Sequence, residues 1–258
     1  MRALSISFLF AVAVSSLAAL PAAAQGTAPQ AAPAVAPAKP YKPVEVKLPE
    51  PMKDASFEAF RKQLGEAAQK KDRAALAKLV VAQNFFWQGE DGEKADKKKS
   101  SIDNLAAAVG LNGKDAFGWE LLAGYAGDPT ASAFPDKPNT FCAPGDPVFD
   151  DKALEDVAKA TKTDPGDWGY PLTNGVEVRG TAKPDAPVTE KLGMHFVRVM
   201  PDDAAPAQDQ PTAVRIVTPS GKIGFVSADA VAPLGNDQIC YSKEGAGWKI
   251  GGYIGGEQ

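Results

Sequence analysis

The side chains in this chain that could do chemistry are few and far apart. There is one histidine, His195, and there are two cysteines, Cys142 and Cys240. Nucleophilic hydrolysis needs a base beside the nucleophile, most often histidine. His195 stands before Phe196 at the start of a strand pattern, with no partner motif, and reads as structural. A Cys–His pair of the cell-wall peptidase kind needs its cysteine just before a helix. Cys142 sits instead in a proline-rich stretch and Cys240 in a hairpin pattern.

Metal and phosphate chemistry find equally little. Zinc needs three or four His, Cys or carboxylate ligands in a compact set, which one histidine and two distant cysteines do not supply. Asp146, Asp150, Asp151, Glu155 and Asp156 cluster but lack calcium-loop spacing, and helix capping accounts for Asp150 and Asp151. Gly251-Gly252 and Gly255-Gly256 belong to a terminal hairpin with no helix after them, so they are not a phosphate loop. Paired carboxylates for sugar hydrolysis can be drawn in many ways from 32 acidic residues, and the sequence selects none of them. The expectation is therefore no catalytic, cofactor-binding or metal-binding residues.

Stepping along the chain, the first 24 residues read as an export signal: Arg2, an apolar run from Ala3 to Leu20 broken only by serines, then Ala22-Ala23-Ala24 before Gln25. A retained membrane anchor is the alternative, but the run barely reaches the roughly 20 residues a span needs. The expectation is a periplasmic or secreted protein with no membrane span after cleavage. Without Arg2 the chain holds 27 basic and 32 acidic residues, net −5, a poor match to nucleic acid. In an oxidising compartment the even pair Cys142 and Cys240 favours a disulfide, with two buried free thiols as the alternative. The bond would be worth ~4 kcal/mol in the chain-entropy model.

Residues 25–52 are rich in Ala and Pro and read as a disordered spacer, or alternatively as a proline-rich ligand. Helical periodicity then begins: Phe57, Phe60, Leu64, Ala67 and Ala68 share one face. Asp72 caps a second helix bearing Ala75, Leu76, Leu79 and Val80; Ser100 or Ser101 caps a third with Ile102, Leu105 and Val109. Phe85-Phe86-Trp87 is a core cluster or a stacking platform, and Gly89 to Lys99 is a solvated charge run. This makes residues 53–128 a helical domain. Residues 129–166 are a proline-rich connection with one helix, capped by Asp150 or Asp151 and carrying Leu154, Val157 and Ala158.

Residues 167–258 turn to β. Val176-Glu177-Val178-Arg179 alternates, Val188 to Leu192 and Phe196 to Met200 follow, and Val214 to Thr218 leads through Pro219-Ser220-Gly221 into Gly224-Phe225-Val226. Val176 to Arg179 with the loop to Pro187, Leu192-Gly193 with the next strand, and Gly221-Lys222-Ile223-Gly224-Phe225-Val226-Ser227 together resemble the bacterial SH3-like domain. The layout is also similar to exported proteobacterial proteins with such a tail, and no activity comes with that resemblance. It covers about a quarter of the chain, roughly Gly175 to Leu234. It implies a small all-β barrel after the helical region, an α+β fold with Gln238 to Ile254 as an added hairpin. Thr212-Ala213 stand where the family has a Trp, and Ala230 where an aromatic often occurs.

Cys240 is expected to pin the hairpin to Cys142, with Tyr241, Trp248 and Ile250 packing on the barrel. Trp168, Tyr170, Phe225, Tyr241, Trp248 and Tyr253 are the residue types of a ligand face, and each is also a natural core residue. The functional expectation is a non-enzymatic binding or interaction module contacting peptidoglycan or an envelope protein. The alternatives are an accessory or regulatory subunit, or a component of a peptidoglycan-remodelling enzyme.

Overall fold

Side-chain caps start four of the five α-helices among the described residues, where the periodicity begins. Asp54 accepts the amides of Ser56 and Phe57 to open α1 (Ala55–Gln69), and Asp72 accepts Ala75 N to open α2 (Arg73–Leu79). Ser100 caps α3 (Ser101–Ala108) and Asp150 caps α5 (Asp151–Thr161), whereas α4 (Phe117–Gly127) has no capping side chain. The structure is a computed structural model describing residues 38–200, 212–245 and 247–256. The export segment, the start of the spacer and the Pro201 to Pro211 linker lie outside the described residues. No described helix is long and apolar enough to cross a membrane.

Among the described residues fifteen strands make three sheets. The N-terminal ones are β1 (Val46–Lys47), β2 (Phe86–Gly89), β3 (Gly92–Glu93), β4 (Ser132–Ala133), β5 (Thr140–Ala143) and β6 (Val148–Phe149). Then come β7 (Trp168–Pro171), β8 (Val176–Arg179), β9 (Val188–Leu192), β10 (Val197–Val199), β11 (Ala213–Val217), β12 (Ile223–Ser227) and β13 (Val231–Pro233). The last pair is β14 (Gln238–Glu244) and β15 (Gly247–Ile254). β1 pairs with β6; seven strands run in the order β13-β7-β10-β11-β12-β8-β9; six run in the order β3-β2-β15-β14-β5-β4. The class is α+β. The seven-stranded sheet is open, with β13 and β9 at its ends, so the expected closed barrel is not what this sheet forms.

The terminal hairpin goes elsewhere than expected. β14 pairs antiparallel with β5, and β15 pairs parallel with β2, making the hairpin the centre of the six-stranded sheet. Alternation, with a bulge opposite Cys240-Tyr241 that brings Ile250 and Tyr253 to the same face, explains the choice. Ile239, Tyr241, Ile250 and Tyr253 turn to one face and are fully buried with Phe57, Leu64, Leu76, Leu105 and Leu122 from the helices. Tyr241 meets Phe57 and Phe60 edge-on at 5.1 and 5.6 Å. The opposite face carries Cys240, which lies across from Cys142 and is bonded to it, with Phe86 packed alongside. The disulfide spans 98 residues and contributes about 4–5 kcal/mol in the chain-entropy model. Gly252 leaves the room Phe86 needs, since a Cβ there would collide with the ring.

The C-terminal sheet has a smaller, aliphatic core of Val176, Val178, Leu192, Val197, Ile216 and Val226. A 3₁₀ turn at Ala228–Ala230 leads from β12 into β13. The spacer corrects a third expectation: from Ala38 onward it is a packed strap. Ala38 N donates to Gly221 O and Tyr41 N to Pro219 O, both at 3.0 Å, and Val46 N donates to Met194 O at 3.1 Å. Gly221 has φ +81°, and a side chain there would strike the Ala38 carbonyl. Val44 and Val46 are buried with Trp168, Tyr170 and Phe196, which anchors this stretch.

Candidate functional site

Five of the six aromatics suited to a ligand face lie in the interior. Trp168, Tyr241 and Tyr253 are 0% exposed, Tyr170 and Trp248 5%. They divide between two cores, Trp168 and Tyr170 with the strap, the other three beneath the helices, so they do not make one surface. Their polar tips are mostly used internally. Trp168 Nε1 donates to Thr163 Oγ1 at 2.9 Å, Trp248 Nε1 to Ser56 Oγ at 3.0 Å, and Tyr253 OH to Asp237 at 2.8 Å. Tyr241 OH is buried with no hydrogen-bond partner among the described residues. Phe225 is half-buried, on β12 between Arg215 of β11 and Arg179 of β8. Cys142 and Cys240 are brought together, as the disulfide described above.

The arrangement offers no activated nucleophile among the described residues. His195 forms a bridge with Glu45, and its Nδ1 lies 3.3 Å from the Phe196 carbonyl. Burial pushes the phenols of Tyr241, Tyr253 and Tyr41 far up and that of Tyr125 to about 12, so all four stay protonated at neutral pH. Among the described residues no group of three or more His, Cys, Asp or Glu is placed to hold a metal ion.

A groove of about 820 Å³ lies between the strap and α5. Its position follows from the anchoring of both walls. Tyr41 OH donates to Val217 O at 2.9 Å and its ring meets Trp168 edge-on at 5.0 Å, which fixes the strap to the C-terminal sheet. Helix α5 is held by Leu154, Val157 and Ala158, buried on its inner side, and ends at Lys162 with φ 56°. The floor between them is apolar: Tyr41, Val44, Phe149, Ala153, Val157 and Ala160. The strap lip carries Lys39, Lys42 and Lys47 with Glu45 among them; the helix lip carries Asp150 and Asp156. At one end Val148, 65% exposed, stands on β6. An apolar concavity with a few charged groups at its rim is the usual form of a binding site.

Reading the sequence for aromatic residues missed this groove. Its one early signal is Tyr41-Lys42-Pro43-Val44-Glu45-Val46, where an aromatic and two alternating valines interrupt an otherwise featureless Ala/Pro segment. No family model matches this chain, and neither a curated protein nor a solved structure matches it significantly.

Proposed function

We propose that this chain is an exported, non-enzymatic binding protein whose seven-stranded sheet is an SH3-like unit and whose groove holds an extended peptide of an envelope protein. The observation that carries the reading is the open groove itself, apolar at the floor, basic on the strap lip and acidic on the helix lip. An extended peptide bearing both charge signs complements such a pair of lips, and its apolar side chains fill the floor. The SH3-like assignment is supported by the order of strands β7 to β13, by the long β8–β9 hairpin and by the 3₁₀ turn before β13. The strap gives an internal precedent: an extended segment with Pro40 and Pro43 already lies against Trp168. The leader read in the sequence and the disulfide support export.

The test is a photocrosslinking residue at Ala160, exposed in the groove, with Lys191 on β9 as the control position. In a periplasmic extract the Ala160 probe should capture a polypeptide that the Lys191 probe does not. Sedimentation of the purified chain with peptidoglycan, without a crosslinked polypeptide, would move the ligand to the cell wall. Absence of both a crosslinked polypeptide and sedimentation with peptidoglycan overturns the binding reading.

A further inference from the structure

The charged run Gly89 to Lys99 does more than coat the surface. It bends, with the start of α3, around a second cavity of about 570 Å³, closed on the far side by Gln83, Asn84 and Lys137. Three lysines reach it, Lys97, Lys99 and Lys137, and none has an ion-pair partner among the described residues. Lys137 is held in place by the Phe86 ring, its Nζ 4.8 Å from the ring centroid. Two carboxylates also line the space, but both are engaged by backbone amides. Glu93 accepts from Trp87 N and Ala95 N at 2.8 and 2.9 Å, and Asp96 accepts from Lys98 N at 2.8 Å. The side-chain charge around the cavity is thus net positive in a chain of net charge −4.

The wall at α3 adds donors. Ser101 is the first residue of that helix, is only 7% exposed, lines the cavity and has no hydrogen-bond partner among the described residues. Its hydroxyl faces the cavity and is free to donate to a bound group. The Ser101 amide is also unclaimed, because the Ser100 cap takes Asp103 N, and a helix N-terminus favours negative charge. Asn104 serves the frame, its amide group bonded to both Asp96 N and Asp96 O.

From this we infer that the cavity beside the α3 N-terminus binds a small phosphate monoester, its phosphate held by Lys97, Lys99, Lys137 and Ser101. Three ammoniums, a hydroxyl and an amide match a dianion with three terminal oxygens better than a single carboxylate. The volume exceeds that of a bare phosphate and falls in the range of small-molecule sites, which leaves room for an organic body. The site is separate from the groove and stands or falls independently of it.

Calorimetric titration of the purified chain at low salt provides the test, with glucose 6-phosphate, inorganic phosphate and glucose as probes. Glucose 6-phosphate should bind, inorganic phosphate should bind more weakly, and glucose should give no heat. The triple variant Lys97→Gln, Lys99→Gln, Lys137→Gln should weaken glucose 6-phosphate binding at least about tenfold. All three lysines are exposed, so the variant should keep the wild-type circular dichroism spectrum. Ser101→Ala should weaken binding by a smaller factor, and Arg at the three lysine positions should restore most of it. Silence from both phosphate probes, or unchanged affinity in the triple Gln variant, overturns the assignment.

Discussion

The two sheets of this molecule are assembled on opposite plans. The seven-stranded sheet is continuous in sequence, from Trp168 to Pro233, and includes the two short hairpins β8–β9 and β11–β12. The six-stranded sheet is discontinuous: β2 to β5 lie before residue 144 and its two central strands lie after residue 237. The whole C-terminal sheet is thereby inserted between the edge and the centre of the other. The consequence is unequal dependence on distant chain. The inserted sheet draws its aliphatic core from its own strands, and the strap braces it from outside. The helical layer cannot cover its core until the last strands arrive, which is where the disulfide is spent.

The comparison breaks most directly at Tyr241. Tyr241→Ala removes a fully buried ring between Phe57 and Phe60 and should cost about 3–5 kcal/mol in urea unfolding. Proteolysis of the variant should cut first within the α1–α4 region while the 168–233 sheet survives. Equal loss of protection in both sheets would mean that they fold as one unit. Gly252→Ala tests the same centre by overfilling: the new methyl meets the Phe86 ring, a cost of about 1–3 kcal/mol, read as a lower urea midpoint.

Sharpening the other side of the comparison needs the strap. Tyr41→Phe removes only the hydroxyl that donates to Val217 O and should cost about 1 kcal/mol. Cleavage between Ala38 and Lys47 should speed up with the 238–254 hairpin unaffected, as followed by mass spectrometry of the fragments. The smallest effect is a pH-dependent one at the hairpin. The Asp54 carboxyl is held well below the usual range by a hydrogen bond from Lys243 and next by one from Ser56, tying α1 to β14. Its native state therefore favours the ionised form. That contribution is complete above the unfolded-state value of about 3.9 and fades as the pH falls below it. The stability gap between wild type and Asp54→Ala, from urea midpoints at a series of pH values, should narrow below about pH 4.

Much of the local structure was legible in the sequence. Asp54, Asp72, Ser100 and Asp150 cap helices where the periodicity begins, and the strands of 176–192 and 213–227 follow their alternation. The Cys142–Cys240 pairing was readable from the even number of cysteines and the expected export. The strand β2 was hidden because Phe85-Phe86-Trp87 is a short apolar run, and such a run has no period that separates helix from strand. The groove was hidden because its two walls are 100 or so residues apart in the chain, and the phosphate cavity because its lysines read as an ordinary solvated run.

By itself the sequence determined where most helices begin, the strands of 176–192 and 213–227, and that a pair of histidines is not available, since capping, turn chemistry and residue inventory are all local properties. Only the tertiary structure decided which sheet receives the terminal hairpin, that Ala38 to Lys47 docks, and that scattered lysines and a buried serine share one space. The physical reason is that every strand edge presents the same backbone donors and acceptors. The choice among partners is made by which buried faces fit together once distant parts of the chain are side by side.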